Sequence, residues 1–281
     1  MTAADDFLAS MARSSAARAD AARRRTPSGD LSAQASRSPR PPPLVLDGRF
    51  DLIAELKLRS PAQGALAGAG ADLEARVAAY ARGGAALVSV LTEPERFDGS
   101  LEHLARASAA LAPLGVPTMR KDFIVDEYQL LEARVAGAAG VLLIVRMLGP
   151  ARLQALVAEA ATLGLFVLIE AFDAADVALA AALAAHWPGP RAGYLVGINS
   201  RDLRTLQVVP DRLEALAASL PYDRPRVAES GLTAAADAAR LARAGYTMAL
   251  VGSALMSAAD PAALARQMID AGRAAAAQAR P

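Results

Sequence analysis

The sequence predicts an α/β fold of the (β/α)8 or TIM barrel class with an N-terminal helical extension, and three observations support this prediction. First, from Leu44 onward one unit recurs eight times: a short apolar run, a polar or glycine-rich turn, and a stretch at helical spacing. Second, the apolar runs are nearly continuous, as expected of parallel strands buried on both faces. Third, ionisable and amide residues stand at the carboxyl ends of these runs, where barrels hold their chemistry. An open doubly wound sheet alternates in the same way, but eight repeats favour a closed barrel.

Each of the eight units contributes one strand and one helix. The predicted strands are residues 52–57, 86–91, 116–121, 141–146, 165–170, 194–199, 226–229 and 247–251. The predicted helices are residues 72–82, 101–111, 127–136, 150–163, 173–185, 211–220, 234–244 and 261–272. The barrel domain is therefore predicted to occupy residues 44–281.

Residues 1–43 are predicted to form a partly helical extension. A helix that begins near Asp5 or Asp6 and ends near the arginines at positions 23–25 suits the helix dipole. The serines and arginines that follow, and the prolines at positions 41–43, are predicted to resist regular structure. An organellar transit peptide is also rich in Arg, Ala and Ser, but Asp5, Asp6 and Asp20 disfavour that alternative. We expect a short helix that packs on the main domain.

The composition excludes several kinds of site. The chain has no cysteine, which rules out disulfides, thiolate metal sites and cysteine nucleophiles. Its two histidines, His103 in a helical pattern and His186 in a connection rich in proline and glycine, disfavour a zinc site or a histidine-based triad. Catalysis is therefore expected to depend on Lys, Glu, Asp, Ser and Asn.

Charge and hydropathy limit the classes of partner. The net charge is +1 with acids and bases interspersed, which does not favour nucleic acid. No apolar run approaches the roughly 18 residues that span a bilayer, and no signal-peptide pattern opens the chain. We expect a cytoplasmic protein that binds neither nucleic acid nor a membrane, and that is a monomer or a weak homo-oligomer.

Lysine is rare in this chain. Of the 30 basic residues only Lys57 and Lys121 are lysines. Arginine is not deprotonated in proteins, whereas a partly desolvated lysine can exchange its proton near neutral pH. Glu55 lies two residues before Lys57, so both side chains leave the end of strand 1 on the same face. The pattern indicates a site that needs titratable amines; the alternative is codon bias that left two lysines by chance.

Other strand ends carry the same kinds of residue. Strand 3 ends at Lys121, strand 5 at Glu170, strand 6 at Asn199 and strand 7 at Glu229. A single Glu at a strand end is more often a solvated cap. Because the carboxyl ends of barrel strands meet at one face, five such ends together predict a catalytic site.

Two glycine-serine turns, Ser230-Gly231 and Gly252-Ser253, follow the last two strands. Glycine lets backbone N–H groups approach a phosphate, and a following helix N-terminus favours the anion. The loops after strands 7 and 8 are the common phosphate site of this architecture, so a phosphorylated small-molecule substrate is predicted. Phe97 and Phe123 lie in loops on the same face, where they either pack the loops or form a pocket for an aromatic ring.

Five segments of the chain, in the same order, resemble the indole-3-glycerol phosphate synthase family. They are Ala54-Glu55-Leu56-Lys57 with Ser60-Pro61, Arg120-Lys121-Asp122-Phe123, Gly197-Ile198-Asn199-Ser200-Arg201, Ala228-Glu229-Ser230-Gly231 and Val251-Gly252-Ser253. That family is a phosphate-binding (β/α)8 barrel of tryptophan biosynthesis. The resemblance implies a carboxy-lyase that converts 1-(2-carboxyphenylamino)-1-deoxyribulose 5-phosphate to indole-3-glycerol phosphate, carbon dioxide and water, without a metal or cofactor.

The resemblance also implies catalytic roles. Lys121 would be the general acid that protonates the ribulose carbonyl during ring closure, and Glu170 the general base of the later dehydration. Lys57 would bind the substrate and deliver a second proton, with Glu55 holding its ammonium in place; which lysine serves which transfer stays open. Two further residues would position the substrate and its developing charges: Asn199 and Ser230.

Substrate-binding roles follow from the same resemblance. The anthranilate carboxylate would meet Arg201 and Ser60. The phosphate would be bound by Gly231, Gly252 and Ser253. The aromatic ring would be enclosed by Phe97, Phe123 and Leu203.

Three alternatives remain beside an active synthase of the tryptophan pathway. The first is a catalytically degenerate barrel that binds a phosphorylated ligand without chemistry, against which the complete set of ionisable residues argues. The second is a paralogue that serves a specialised indole pathway. The third is the related isomerase of the same pathway, which is expected to use a cysteine with an aspartate, and this chain has no cysteine.

Overall fold

Eight parallel strands close into a barrel in the computed structural model, which describes residues 3–60, 64–65, 72–184, 187, 193–203, 205–221 and 223–278. The strands are β1 (Asp51–Leu56), β2 (Leu87–Leu91), β3 (Thr118–Lys121), β4 (Gly140–Ile144), β5 (Phe166–Ala171), β6 (Tyr194–Asn199), β7 (Arg226–Glu229) and β8 (Met248–Val251). Strand β1 pairs with both β2 and β8, which closes the cylinder. The predicted fold class is confirmed, and Lys57 lies one residue beyond the end of β1.

Helices surround the strands in alternating order. They are α1 (Ala3–Arg25), α2 (Ser28–Arg37), α3 (Leu73–Arg82), α4 (Pro94–Phe97), α5 (Leu101–Leu111), α6 (Glu127–Val135), α7 (Val145–Thr162), α8 (Ala174–Ala184), α9 (Arg212–Ala217), α10 (Ala235–Arg243), α11 (Ser253–Ser257) and α12 (Pro261–Gln278). His103 lies in α5 as predicted, whereas His186 lies outside the described residues. None of the described helices combines the length and the apolarity that a membrane crossing requires.

One predicted strand ends early. The fourth strand was expected to reach residue 146, but Val145 and Arg146 already belong to α7. Gly149 interrupts that helix with φ 68° and ψ 173°, and Pro150 follows it. Proline suits the first turn of a helix, so the sequence pattern predicted a helix that begins at Pro150. The pattern did not predict the short helical turn before Gly149, because its residues continue the apolar run of the strand.

The strand side chains alternate between the barrel interior and the helices outside. Every strand contributes at least one buried residue to a single apolar cluster, which includes Ile53, Leu87, Met119, Leu142, Leu168, Leu195, Val227 and Leu250. Their chain neighbours, such as Leu52 and Ala54, pack in the cluster that includes the surrounding helices. The next position on the same side of each strand, two residues further on, lies closer to the carboxyl ends of the strands than this apolar cluster. We call these eight positions the upper layer of the barrel interior. That layer consists of Glu55, Ser89, Lys121, Ile144, Glu170, Gly197, Glu229 and Gly252.

The N-terminal segment contains two helices. The prediction that the residues after 25 resist regular structure is wrong for α2 (Ser28–Arg37). Leu31 and Ala35 are four residues apart, so they lie on one side of that helix, and they pack against Tyr128 and Leu131 of α6. Tertiary packing thus overrides a serine-rich sequence of modest helical propensity. The division of the chain at residues 43 and 44 stays a prediction.

Candidate active site

A cavity opens at the carboxyl ends of the strands. Every predicted site residue except Ser60 lines it: Glu55, Lys57, Phe97, Lys121, Phe123, Glu170, Asn199, Arg201, Leu203, Ser230, Gly231, Gly252 and Ser253. The backbone of Ser60 lies in the short antiparallel pair Arg59–Ser60 with Gly64–Ala65, and its side chain lies outside what the structure describes. Residues spread over some 200 positions of sequence thus meet in one cavity because parallel strands share one carboxyl face.

Glu55 joins the two lysines. Its Oε1 lies 3.0 Å from the ammonium nitrogen of Lys57, and its Oε2 lies 3.8 Å from that of Lys121. The nitrogen of Lys121 also lies 3.7 Å from Oε2 of Glu170. The side chains are 16% exposed or less, so these charges interact in a partly desolvated environment. The two amines therefore face the same space at one rim of the barrel.

A chain of hydrogen bonds continues from Glu170. The amide nitrogen of Asn199 donates to Oε2 of Glu170 at 3.1 Å. The amide oxygen of Asn199 accepts from the Ser230 hydroxyl at 2.9 Å and from the backbone N–H of Arg201 at 2.9 Å. Both the nitrogen and the oxygen of the Asn199 amide are thus hydrogen-bonded, and the amide N–H points towards the carboxylate of Glu170.

The charged side chains of the cavity shift one another's pKa values. Burial tends to raise the pKa of Glu55, but Lys57 and Lys121 outweigh it, so the pKa is lowered. Burial tends to lower the pKa of Lys121, but the carboxylates of Glu170 and Glu55 act against it, and that pKa is raised. The expectation that desolvation lets Lys121 exchange its proton near neutral pH is therefore wrong for this arrangement. The neighbouring carboxylates keep it protonated, which is the form a general acid needs.

Aromatic side chains line the mouth of the cavity. The rings of Phe97 and Phe123 are tilted with centroids 6.4 Å apart, and the ring of Phe7 packs edge-on against Phe123 at 6.0 Å. Phe7 and Leu8 come from α1 and line the cavity too. Sequence reasoning did not assign these two residues to the site; the signal available was the apolar pair Phe7-Leu8 at the start of the predicted helix.

Helix α1 is held against β3 and the loop after it. Ser15 donates to the carbonyl oxygen of Phe123 at 2.5 Å and accepts from Gln129 at 2.8 Å. Arg18 forms an ion pair of 2.9 Å with Asp122, the residue after Lys121. These buried contacts fix the position from which Phe7 reaches the cavity.

Two glycines shape the opposite side of the cavity. Gly231 has φ 81°, and Ser230 before it has φ 69°, so this turn uses the left-handed region. At Gly252 a Cβ atom would overlap Oε1 of Glu55, so the close approach of β8 to that carboxylate requires glycine. Ser253 then begins α11. The residues of both turns line the cavity together with the carboxylate and lysine groups.

Arg201 lies in a short hairpin after β6. It pairs with Val208 in an antiparallel bridge, and its guanidinium donates to the carbonyl oxygen of Leu206 at 2.6 Å. Leu206 has φ 61°, which is strained for a side chain of this size. The hairpin presents Arg201, Leu203 and Leu206 to the cavity.

Glu229 is a cavity residue that the sequence-based site assignment omitted. It is the last residue of β7, as Lys121 is the last of β3, and only 1% of its surface is exposed. It was counted among the polar strand ends of the sequence but was given no role in the site. Among the described residues, no group of three or more His, Cys, Asp or Glu could hold a metal ion. The acidic residues of the cavity instead surround two ammonium groups.

Comparison with known proteins places the chain in a family. A family model described as indole-3-glycerol phosphate synthase matches residues 8–268. The indole-3-glycerol phosphate synthase of Nocardioides sp. is 45% identical over 217 residues, covering 77% of this chain and 79% of that protein. That of Kineococcus radiotolerans is 39% identical over 281 residues, covering 97% and 96%.

Solved structures share the fold at much lower identity. Thiamine phosphate pyrophosphorylase from Pyrococcus furiosus matches with a TM-score of 0.58 and 14% identity, over 81% of this chain and 98% of that one. Tryptophan synthase from M. tuberculosis matches with a TM-score of 0.55 and 16% identity, over 80% and 94%. These likenesses show the barrel fold alone. The family model and the curated relatives show more: this chain belongs to the indole-3-glycerol phosphate synthase family.

Proposed function

We propose that this protein converts 1-(2-carboxyphenylamino)-1-deoxyribulose 5-phosphate to indole-3-glycerol phosphate, with release of carbon dioxide and water. The observation that carries the proposal is the ammonium of Lys121, which lies between the carboxylates of Glu55 and Glu170 in the same cavity as two glycine turns. Ring closure needs an acid, dehydration needs a base, and a phosphorylated substrate needs backbone donors. Lys121, Glu170 and the two glycine turns line one cavity, which supports the proposal.

Substrate orientation follows from the two sides of the cavity. The phosphate binds at the turns around Gly231 and Gly252, where backbone approaches closely. The aromatic ring packs between Phe97 and Phe123, and its carboxylate meets the guanidinium of Arg201. This orientation places the ribulose carbon chain over the layer that contains Lys121 and Glu170.

Ring closure and decarboxylation use the first acid. The ring carbon that bears the carboxylate attacks the ribulose carbonyl carbon, and Lys121 transfers a proton to the carbonyl oxygen as that bond forms. The carbon–carboxylate bond then breaks, carbon dioxide leaves, and its electron pair restores the aromatic ring. Apolar side chains beside the carboxylate, such as Phe123, favour loss of its charge.

Dehydration uses a base and a second acid. Glu170 removes a proton from the carbon next to the nitrogen, and the hydroxyl formed at the former carbonyl leaves as water with a proton from Lys57. Asn199 holds the Glu170 carboxylate, and Glu55 holds the Lys57 ammonium at 3.0 Å. Each general acid or base contributes about 10²–10⁴-fold to the rate.

The test supplies the carboxyphenylamino substrate to the purified protein and follows the indole absorbance of the product. A matched control is Glu74→Gln, which removes an exposed ion pair with Arg106 on the outer helices and is expected to keep full turnover. Absence of product from protein that is folded by circular dichroism would contradict the proposal. Tight binding of the substrate without product would identify a binding barrel without chemistry.

A further inference from the structure

Glu229 has an unusual environment for a carboxyl group. It is 1% exposed, and among the described residues no N–H or hydroxyl group donates to either of its side-chain oxygens. The two other glutamates of the same barrel layer have donors: Glu55 accepts from Lys57, and Glu170 accepts from Asn199. A buried carboxylate without a donor is costly, so the charged form of Glu229 is disfavoured where it lies.

The Glu229 side chain lies over a gap in strand β6. Gly197 occupies the interior position of β6, beside Glu170 of β5, and a Cβ atom there would overlap Oε1 of Glu229. The carboxyl of Glu229 thus passes over the backbone of β6 towards β5. There it comes to Glu170, which is paired with Gly197 in the register of the two strands. Two ionised carboxylates are both acceptors, so this contact needs a proton between them.

We propose that Glu229 is held as a neutral carboxylic acid which donates a hydrogen bond to Glu170 across the gap at Gly197, and that it is a positioning residue for that base. The proposal rests on the proposed function, in which Glu170 is the base of the dehydration. With Asn199 donating to one Glu170 oxygen, a second donor fixes the plane of the carboxylate toward the cavity.

The charges around Glu229 agree with a neutral acid. Burial raises the pKa of Glu229, and the carboxylates of Glu170 and Glu55 raise it further, while the ammonium of Lys121 lowers it without outweighing them. Next to Glu229 on β8 lies the apolar Leu250.

The remaining charges then balance. The carboxylates of Glu55 and Glu170 lie against the ammonium groups of Lys57 and Lys121, and a neutral Glu229 adds no third negative charge. A phosphorylated, carboxylated substrate would be repelled by a third carboxylate in this layer. A protonated Glu229 thus donates a hydrogen bond to the base Glu170 and does not repel the anionic substrate.

The kinetic test compares Glu229→Gln with Glu229→Ala. An amide N–H can donate to Glu170 but carries no charge, so we expect E229Q to lower kcat by no more than about tenfold and E229A by about 10²-fold. We expect KM to change by less than about threefold in both, because the residue acts through Glu170 rather than on the substrate. E229Q falling as low as E229A would show that an ionised carboxylate is required and would overturn the proposal.

The spectroscopic test does not depend on turnover. We expect the infrared spectrum at neutral pH to contain the carbonyl stretching band of a protonated carboxylic acid, and we expect E229Q to lose it. Asp122→Asn is the matched control, since Asp122 is a buried carboxylate with donors from Arg18, Arg120 and Thr92, and its replacement should leave the band intact. Absence of the band from the unaltered protein would overturn the proposal whether or not the protein turns over the substrate.

Discussion

At the scale of single residues, the site depends on which side chains share one layer of the barrel. Lys121, Glu170 and Glu229 occupy corresponding interior positions on three strands, so groups distant in sequence come within a few ångströms. Burial alone would neutralise these charges. The contacts among these groups decide instead: the pKa of Lys121 is raised, which keeps its amine charged, and the pKa of the Glu229 carboxyl is raised, which favours its neutral form.

Lys121→Arg separates charge from proton transfer. Arginine keeps a positive charge beside Glu55 and Glu170 but does not release a proton, so we expect kcat to fall at least about 10²-fold. Steady-state kinetics with the carboxyphenylamino substrate measure this, with Glu74→Gln as the control. Near-normal turnover of the arginine variant would remove Lys121 from its role as acid.

Gly252→Ala tests the close approach of β8 to Glu55. The added methyl group would overlap Oε1 of Glu55 and come within 3.3 Å of the Lys57 nitrogen. We expect kcat/KM to fall about tenfold or more, because the ion pair that orients Lys57 must shift. The control is Gly29→Ala in α2, where the methyl group would meet no atom within 4 Å. Equal kinetics for the two variants would contradict this account.

At the scale of elements, α1 is part of the active site as well as of the extension. Its second turn brings Phe7 and Leu8 to the cavity, and its middle contacts the barrel through Ser15 and Arg18. Arg18 binds Asp122, which directly follows Lys121. The helix that lines the proposed ring pocket is thus attached beside Lys121, the proposed general acid.

Arg18→Met is expected to loosen α1 while Asp122 keeps its donors from Arg120, Thr92 and the Phe123 N–H. Because α1 contributes apolar surface to the ring pocket and no group to proton transfer, we expect KM to rise about tenfold with a smaller change in kcat.

The control for Arg18→Met is Arg13→Met, at an exposed position of the same helix. We expect its KM to stay close to that of the unaltered protein. A fall in kcat with unchanged KM in the Arg18 variant would show that the ion pair acts on the chemistry rather than on binding.

At the scale of the whole molecule, Asp122 links stability to pH. Burial tends to raise its pKa, but Arg120 and Arg18 outweigh it and lower the pKa from 3.8 to about 2. A carboxyl whose folded-state pKa lies below its unfolded-state pKa stabilises the fold above the unfolded value. That contribution, roughly 2 kcal/mol, is lost as the pH falls from about 4 towards about 2.

Asp122→Asn should therefore lower the free energy of unfolding by less in acid than at neutral pH. We expect the difference in unfolding free energy between the unaltered protein and D122N to be largest near about pH 7 and to shrink near about pH 3. Urea unfolding followed by circular dichroism at the two pH values measures it. A difference that is equal at both would mean that the Asp122 carboxylate is not preferentially ionised in the folded state.

The fold was largely predictable because each strand and helix of the barrel has its own hydrophobic pattern in the local sequence. The apolar runs predicted β6 and β7 at their observed limits, and the helical spacing predicted α5 at its observed limits. The pattern failed for α2, whose helical form depends on packing Leu31 and Ala35 against α6. Two apolar residues on one side of a short segment do not reveal which surface of the protein they will pack against.

By itself the sequence determined that eight strands alternate with eight helices, and that Lys57, Lys121, Glu170 and Asn199 stand at strand ends that meet at one face. Both follow from short-range periodicity and the geometry of parallel strands. Only the tertiary structure decided that Phe7 reaches the cavity, and that carboxylates surround Lys121. It also decided that Glu229 crosses the gap at Gly197. These features depend on distances between residues far apart along the chain, and desolvation and Coulomb energies are set by those distances.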